Sequence, residues 1–283
     1  MQLYGDSDLH NQVAMVTGAG GGLGREIAVA LARAGARVAL NGRSPARLEE
    51  TADLVRAVGG QAIVFGCDVT DEKSVRECVE YIERCLGPVD LLVNNAATGG
   101  PIDSVWRVDT QAWWRALEVN LRGPFLCAHA VLAAMVARRA GAIVNVVSHA
   151  GVYRWPLCSA YASSKCALIN LSENMALEAG RYGVSVFALH PGLLTIGMTG
   201  SLLDSETGLG SAASRVAEWI RQEIRQGRAV PAQRCTTMLV ALASGRYDAL
   251  SGCYLTVDDD LDALLARASG PDGSNLHRLR IRQ

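Results

Sequence analysis

Three groups of residues in the 283-residue chain have types and spacings that can do chemistry. The first is Thr17-Gly18-Ala19-Gly20-Gly21-Gly22-Leu23-Gly24, which follows a short apolar run and opens a helical stretch. So tight a turn needs residues without a Cβ, because only then can the backbone approach a pyrophosphate and aim helix N-terminal amides at it. Its spacing is Gly-x-x-x-Gly-x-Gly rather than Gly-x-Gly-x-x-Gly. The second group, Asn41-Gly42-Arg43-Ser44, ends the next strand about twenty residues on, where an acid would bind the ribose 2'-hydroxyl of NAD. No acid stands there. Gly42 leaves room and Arg43 offers a planar cationic fork, so NADP(H) is favoured over NAD(H). The third is Tyr161 and Lys165, four apart on a predicted helix and hence on one face. A free phenol titrates near pH 10, and an adjacent ammonium draws that value toward the working range.

Those groups need elements to hold them. Short β-branched runs at 13–17, 37–41, 62–67, 89–94, 142–148, 184–190 and 253–257 alternate with helical periodicity at 23–34, 45–58, 71–86, 110–138, 159–181 and 231–244. Alternation of this kind predicts an α/β doubly wound Rossmann fold, a parallel sheet of about seven strands with helices on both faces and ligand at the carboxyl ends of the strands. The whole chain, 1–283, reads as one domain. Residues 195–228 break the rhythm with a helical stretch at 212–226 and no strand, and this insertion above the sheet edge is a candidate substrate lid.

Composition narrows the class. With 49% hydrophobic and 19% charged residues the chain can bury a large core, and a net charge of -1 without like-charged blocks implies no nucleic-acid partner. Eight cysteines without a Cys-x-x-Cys pair suggest neither a metal site nor a redox pair, and reduced thiols fit a cytoplasmic protein. The polar start of the chain and apolar runs of strand length predict no targeting signal and no membrane span.

In order along the chain, the turn from Thr17 to Gly24, Asp68-Val69, Asn94-Asn95-Ala96-Ala97, Asn120, Ser148, Tyr161-Ala162-Ser163-Ser164-Lys165 and Pro191-Gly192 resemble the motifs of the short-chain dehydrogenase/reductase family, non-extended branch, from about residue 13 to 257. The resemblance implies a catalytic group of Asn120, Ser148, Tyr161 and Lys165. Tyr161 would protonate a carbonyl oxygen as hydride arrives, or deprotonate an alcohol in reverse. Ser148 would hydrogen-bond the substrate oxygen, and Asn120 would hold a water linking Lys165 to solvent. The resemblance also implies a cofactor site of Gly18, Gly20, Gly21, Gly22, Leu23, Gly24, Arg43, Asp68, Val69, Asn94, Ala96, Tyr161, Lys165, Pro191 and Gly192. Asp68 and Val69 would meet the adenine, and Asn94 would brace the sheet beside the cofactor. The expected activity is that of an NADP(H)-dependent ketoreductase, moving a hydride between the nicotinamide and a carbonyl or alcohol carbon.

Several positions depart from the family pattern. Ala97 replaces a glycine, Ile196 stands where a threonine is frequent, and Asp258-Asp259-Asp260 replaces Asp-Gly-Gly before an atypical C-terminal helix and tail at 258–283. Strand-end loops supply His149, Tyr153, Trp155 and Leu193 as substrate-facing candidates, apolar enough to favour a substrate with substantial non-polar area. Side-chain alternation along a strand predicts that His149 points away from Ser148. Two long helices rich in small residues, together with the resemblance, predict a homo-oligomer, a tetramer or dimer. Leu261, Leu264 and Leu265 predict a short amphipathic helix, and Leu276, Leu279 and Ile281 an apolar face beyond it. Two other readings use the same fold: a non-catalytic nucleotide-sensing regulator, and an epimerase or dehydratase sharing the Tyr-Lys pair. The full catalytic set opposes the first, and the glycine spacing and the absence of a longer C-terminal substrate domain oppose the second.

Overall fold

The computed structural model describes residues 8–205, 208, 210–268, 277 and 278. Among them, one parallel sheet is built from β1 (Val13–Thr17), β2 (Arg37–Gly42), β3 (Gln61–Gly66), β4 (Leu91–Asn94), β5 (Gly141–Val146), β6 (Val184–His190) and β7 (Tyr254–Thr256). Their spatial order is β3-β2-β1-β4-β5-β6-β7. The chain reverses direction across the sheet between β1 and β4, and a doubly wound sheet opens its ligand crevice at such a switch point.

Both sheet faces are covered, which is why the strands read as continuous apolar runs. On one face α1 (Gly22–Arg33), α2 (Pro45–Ala57) and α9 (Ala232–Ala243) pack over Ala14 and Val16 of β1, Val144 of β5 and Phe187 of β6. On the other, α3 (Glu72–Cys85), α5 (Gly123–Arg138) and α6 (Ser159–Ala179) pack over Val13 and Met15, Leu92, Ile143 and Val186. The period of two along β1 sends alternate side chains into these separate cores.

The helix expected over 110–138 is interrupted. It consists of α4 (Thr110–Leu117), a π-helical turn at Glu118–Arg122, and α5. Pro124 lies four residues after Asn120 and has no N–H to offer the Asn120 carbonyl, so a regular α-helical ladder cannot pass this point. By length and composition the whole span Thr110–Arg138 could cross a membrane, which corrects the expectation that apolar runs stop at strand length. Leu126, Cys127, Val131 and Met135 of it are instead buried in the core under the sheet.

Two helices rise from the segment between β6 and α9: α7 (Met198–Asp204), for which the sequence carries no periodic pattern, and α8 (Ala212–Arg225). Ser211 caps α8 by accepting from Ser214 N at 3.0 Å, and Val216, Ala217 and Ile220 form its buried face. After β7, the Asp260 carboxylate accepts from the amides of Asp262 and Ala263 at the start of α10 (Leu261–Ala268), whose Leu261 and Leu264 are buried. The expected apolar face of Leu276, Leu279 and Ile281 lies outside the described residues. His277 and Arg278 lie along β7: Tyr254 N donates to the His277 carbonyl at 2.8 Å, and the Arg278 guanidinium stands 3.6 Å from the Glu173 carboxylate.

Candidate active site

The glycine turn leaves β1 at the switch point. Gly18 has a φ of 66°, and a Cβ on it would stand 2.9 Å from the Ala96 Cα, so the turn lies flat against the end of β4 only because that residue is glycine. Gly24 is held as closely: a Cβ there would clash with the Gly18 carbonyl. Thr17 and Asn95 pin the contact. Thr17 Oγ1 accepts from the amides of Asn95 and Ala96, and Asn95 Nδ2 donates to the Thr17 carbonyl at 3.0 Å. Asn94 is buried beside them and donates to Asn145 Oδ1 at 2.8 Å, and Asn145 in turn donates to Ser172 Oγ. This braces β4, β5 and α6 together.

Helix α1 begins at that turn with no side-chain cap and no acid in its first turn, so its N-terminal amides and its positive dipole end are left for an anion. Beside it, Arg47 of α2 lies across the turn, its guanidinium 2.5 Å from where a Gly21 Cβ would be. Arg43 lies close enough to Asp68 to act, with Arg115, in holding that carboxyl below its usual range, after its hydrogen bonds from Thr70. Asp68 caps the turn at Thr70 and pairs with Arg115 at 3.3 Å, while Asp71 caps α3. Val69 is buried against Gly123, where a Cβ would meet it at 2.8 Å. Uncapped amides, a glycine cradle and two cations at the end of β2 fit a dinucleotide with its phosphates on α1.

Across the crevice, Ser148 follows β5 and Tyr161 and Lys165 occupy the first turns of α6. The Ser148 hydroxyl is within hydrogen-bonding reach of the Tyr161 phenol, and it also accepts from Ala150 N at 3.1 Å. Burial pushes the Tyr161 pKa above its usual value, with the Ser148 hydrogen bond opposing that shift. Lys165 is 3% exposed, and burial lowers its pKa from 10.5 to about 8. Its ammonium donates to the Val146 carbonyl at 2.9 Å and stands 5.7 Å from the centre of the Tyr161 ring. The pair therefore shares a face as the spacing implied, but in this state burial and not the ammonium dominates the phenol.

Asn120 sits on the π-helical turn with 0% exposure. Its side chain accepts from Thr98 N at 2.8 Å and donates to the Thr98 carbonyl at 2.8 Å and to Ser164 Oγ at 3.1 Å. The amide group thus ties the loop after β4 to the helix that carries Tyr161 and Lys165. Its main-chain carbonyl cannot take the usual α-helical bond from residue 124, because Pro124 has no N–H.

The substrate-side candidates fall into two groups. Trp155 and Leu193 share an apolar cluster with Tyr161, Ile102, Cys158 and, from α8, Val216 and Ile220. His149 lies on a one-turn helix after Ser148 rather than on the strand and stacks on His190, ring centres 3.9 Å apart. Tyr153 packs edge-on against His149 and is 64% exposed. Pro191-Gly192 ends β6, and Gly192, with a φ of 78°, lies so close to Val230 that no Cβ would fit. Thr17 and Asn95 stand in motifs visible in the sequence, which assigns them no role, and Asn145 and Arg47 carry no sequence signal of their part in the site. Asn95 was visible beside Asn94, but only the fold reveals that Arg47, near the start of α2, lies over the glycines.

Residues 12–207 match the model of the short chain dehydrogenase family. The chain belongs to the short-chain dehydrogenase/reductase family. It is 35% identical over 257 residues to 2-(S)-hydroxypropyl-CoM dehydrogenase 3 of Xanthobacter autotrophicus, covering 90% of this chain and 98% of that one. Among solved structures it resembles a variant of actinorhodin polyketide ketoreductase with NADPH, at 30% identity and a TM-score of 0.79, covering 87% of this chain and 95% of the other. It equally resembles NAD+-bound xylitol dehydrogenase, at 30% identity and a TM-score of 0.78, covering 88% and 98%. This dehydrogenase/reductase is an oxidoreductase of the class that interconverts alcohols and carbonyls on small molecules, and its structural neighbours carry nicotinamide cofactors of both kinds.

Proposed function

We propose that this dehydrogenase/reductase is an NADP(H)-dependent ketone reductase acting on a largely apolar substrate. The observation that carries the reading is the convergence of Ser148, Tyr161, Lys165 and the Asn120 turn at the carboxyl ends of β4 and β5, facing the uncapped start of α1. A nicotinamide cofactor bound along the glycine turn supplies or accepts the hydride. Ser148 holds the substrate oxygen where charge develops, and Tyr161 Oη gives that oxygen its proton in reduction or removes it in oxidation. Lys165 keeps positive charge beside the phenol ring, and a water held at Asn120 would link Lys165 to solvent, from which the proton given up by Tyr161 is replaced. Arg43 and Arg47 favour the 2'-phosphate of NADP because guanidinium forks match phosphate geometry and no acid at Gly42 repels it. The 195–228 segment serves as the lid over an apolar cleft, in a cytoplasmic homo-oligomer, tetramer or dimer. Oxidation of NADPH and NADH is to be followed with a panel of ketones, and reduction of NADP+ and NAD+ with sugars and polyols as controls. Turnover of ketones with NADPH preferred supports the reading; turnover confined to polyols, or no turnover with any carbonyl, contradicts it.

A further inference from the structure

Helix α8 lays a mixed face over the cleft. Val216 and Ile220 are buried against Cys158, Ile102 and Leu193, while Trp219, next to Ile220 and one turn beyond Val216, keeps 41% of its surface exposed. Its ring meets Trp155 edge to face, centres 5.0 Å apart at 78°, and Trp155 in turn lies 6.4 Å from the Tyr161 ring at 44°. An unbroken aromatic path therefore runs from the proton donor to the lid.

We infer that Trp155 and Trp219 form an aromatic wall that selects carbonyl substrates bearing a planar ring next to the reacting carbon. The inference rests on the carbonyl reading above and deepens it. Ring pairs favour centre spacings of about 4.5 to 7 Å, so a third ring between two others needs about 9 Å. The 6.4 Å between Trp155 and Tyr161 excludes such a sandwich. A substrate ring instead lies against the wall, with its carbonyl at Ser148 and Tyr161. The aliphatic side of the cleft, Ile102, Leu193 and Leu202, offers area without orientation, whereas the tryptophans add the preference of a quadrupole for a ring in a defined pose. Trp219 is the lid's contribution.

The test compares acetophenone with cyclohexyl methyl ketone, which have the same skeleton and differ in the aromaticity of one ring. In the wild type the aromatic ketone has the higher kcat/KM. Trp219→Leu, which keeps an apolar residue on α8, lowers the ratio of the two constants about 3- to 10-fold, the range expected of a single aromatic pair. Trp155→Leu lowers it at least as far. Equal losses for both ketones, or a wild type that does not discriminate, would show that the tryptophans only pack the lid and would overturn the inference. If neither these two ketones nor any other carbonyl of the panel is turned over, it is the carbonyl reading that has failed. Quenching of tryptophan fluorescence then decides: tighter binding of acetophenone that weakens in Trp219→Leu supports the wall, and identical binding of the two ketones removes it.

Discussion

Replacing Lys165 by methionine should remove a pH dependence of stability that the wild type carries between pH 8 and 10.5. Lys165 is buried at 3% exposure, and its pKa falls from 10.5 to about 8 on folding because burial disfavours the charged form. A group whose folded pKa is depressed binds fewer protons folded than unfolded between the two values, so stability rises with pH through that window and is diminished below it. The drop corresponds to a destabilisation of about 3 kcal/mol, present in full below pH 8 and gone above pH 10.5. Methionine removes the charge at similar length and also removes the hydrogen bond to the Val146 carbonyl, a loss of about 1 kcal/mol that does not vary with pH. Relative to wild type, Lys165→Met is therefore expected to be most favourable below pH 8 and to lose about 3 kcal/mol of that relative stability as the pH passes 10.5. Urea unfolding of both proteins at half-unit pH steps reads the difference directly, provided their m-values agree. A difference that stays flat across this window, or that changes in the opposite direction, would refute the claim that this lysine is held against its charge.

Asn120→Ala should lower the unfolding free energy by about 3 kcal/mol, because it leaves the Thr98 amide and carbonyl without partners; urea melts at neutral pH measure it, and an unchanged midpoint would show the loop is held elsewhere. Since burial raises the Tyr161 pKa, the acid form persists through neutral pH. Carbonyl reduction should accordingly be level there and fall at alkaline pH, while alcohol oxidation rises; kcat/KM profiles in both directions check the sign. Gly42→Asp combined with Arg43→Ala should shift the NADP-to-NAD ratio of kcat/KM toward NAD by at least about tenfold, equivalent to about 1.4 kcal/mol, and an unchanged ratio would remove Arg43 from cofactor choice.

Much of the architecture could be read from the residues because both faces of the sheet are buried. Strands such as Val13–Thr17 and Val184–His190 are buried at every position and mostly apolar, and their boundaries are those expected from the sequence. Boundaries differ where the ladder, not hydrophobicity, decides: Val89 is buried but precedes β4, which starts at Leu91. The π-helical turn escapes a periodicity reading because hydrophobic spacing barely changes across one extra residue, although Pro124 four residues after Asn120 carries the signal. Tyr161 and Lys165 are legible from spacing, yet the spacing says nothing of the Val146 carbonyl that takes the ammonium. Helix α7 has no buried residue to impose a pattern, and the contact between Trp155 and Trp219 joins positions far apart in sequence, so neither leaves a periodic trace.

In the proposed reaction Tyr161 moves the proton while the rest of the site binds and orients. Tyr161→Phe removes one hydroxyl and keeps the ring that packs on Trp155 and under which Lys165 lies. Steady-state turnover and NADPH binding, measured on the same preparation, test it most directly. Proton transfer by a positioned group contributes about 10²- to 10⁴-fold, so kcat should fall by at least about a hundredfold while the NADPH dissociation constant stays within about threefold. A variant that retains wild-type kcat, with cofactor binding intact, would contradict the assignment of Tyr161 as the acid and base of this enzyme.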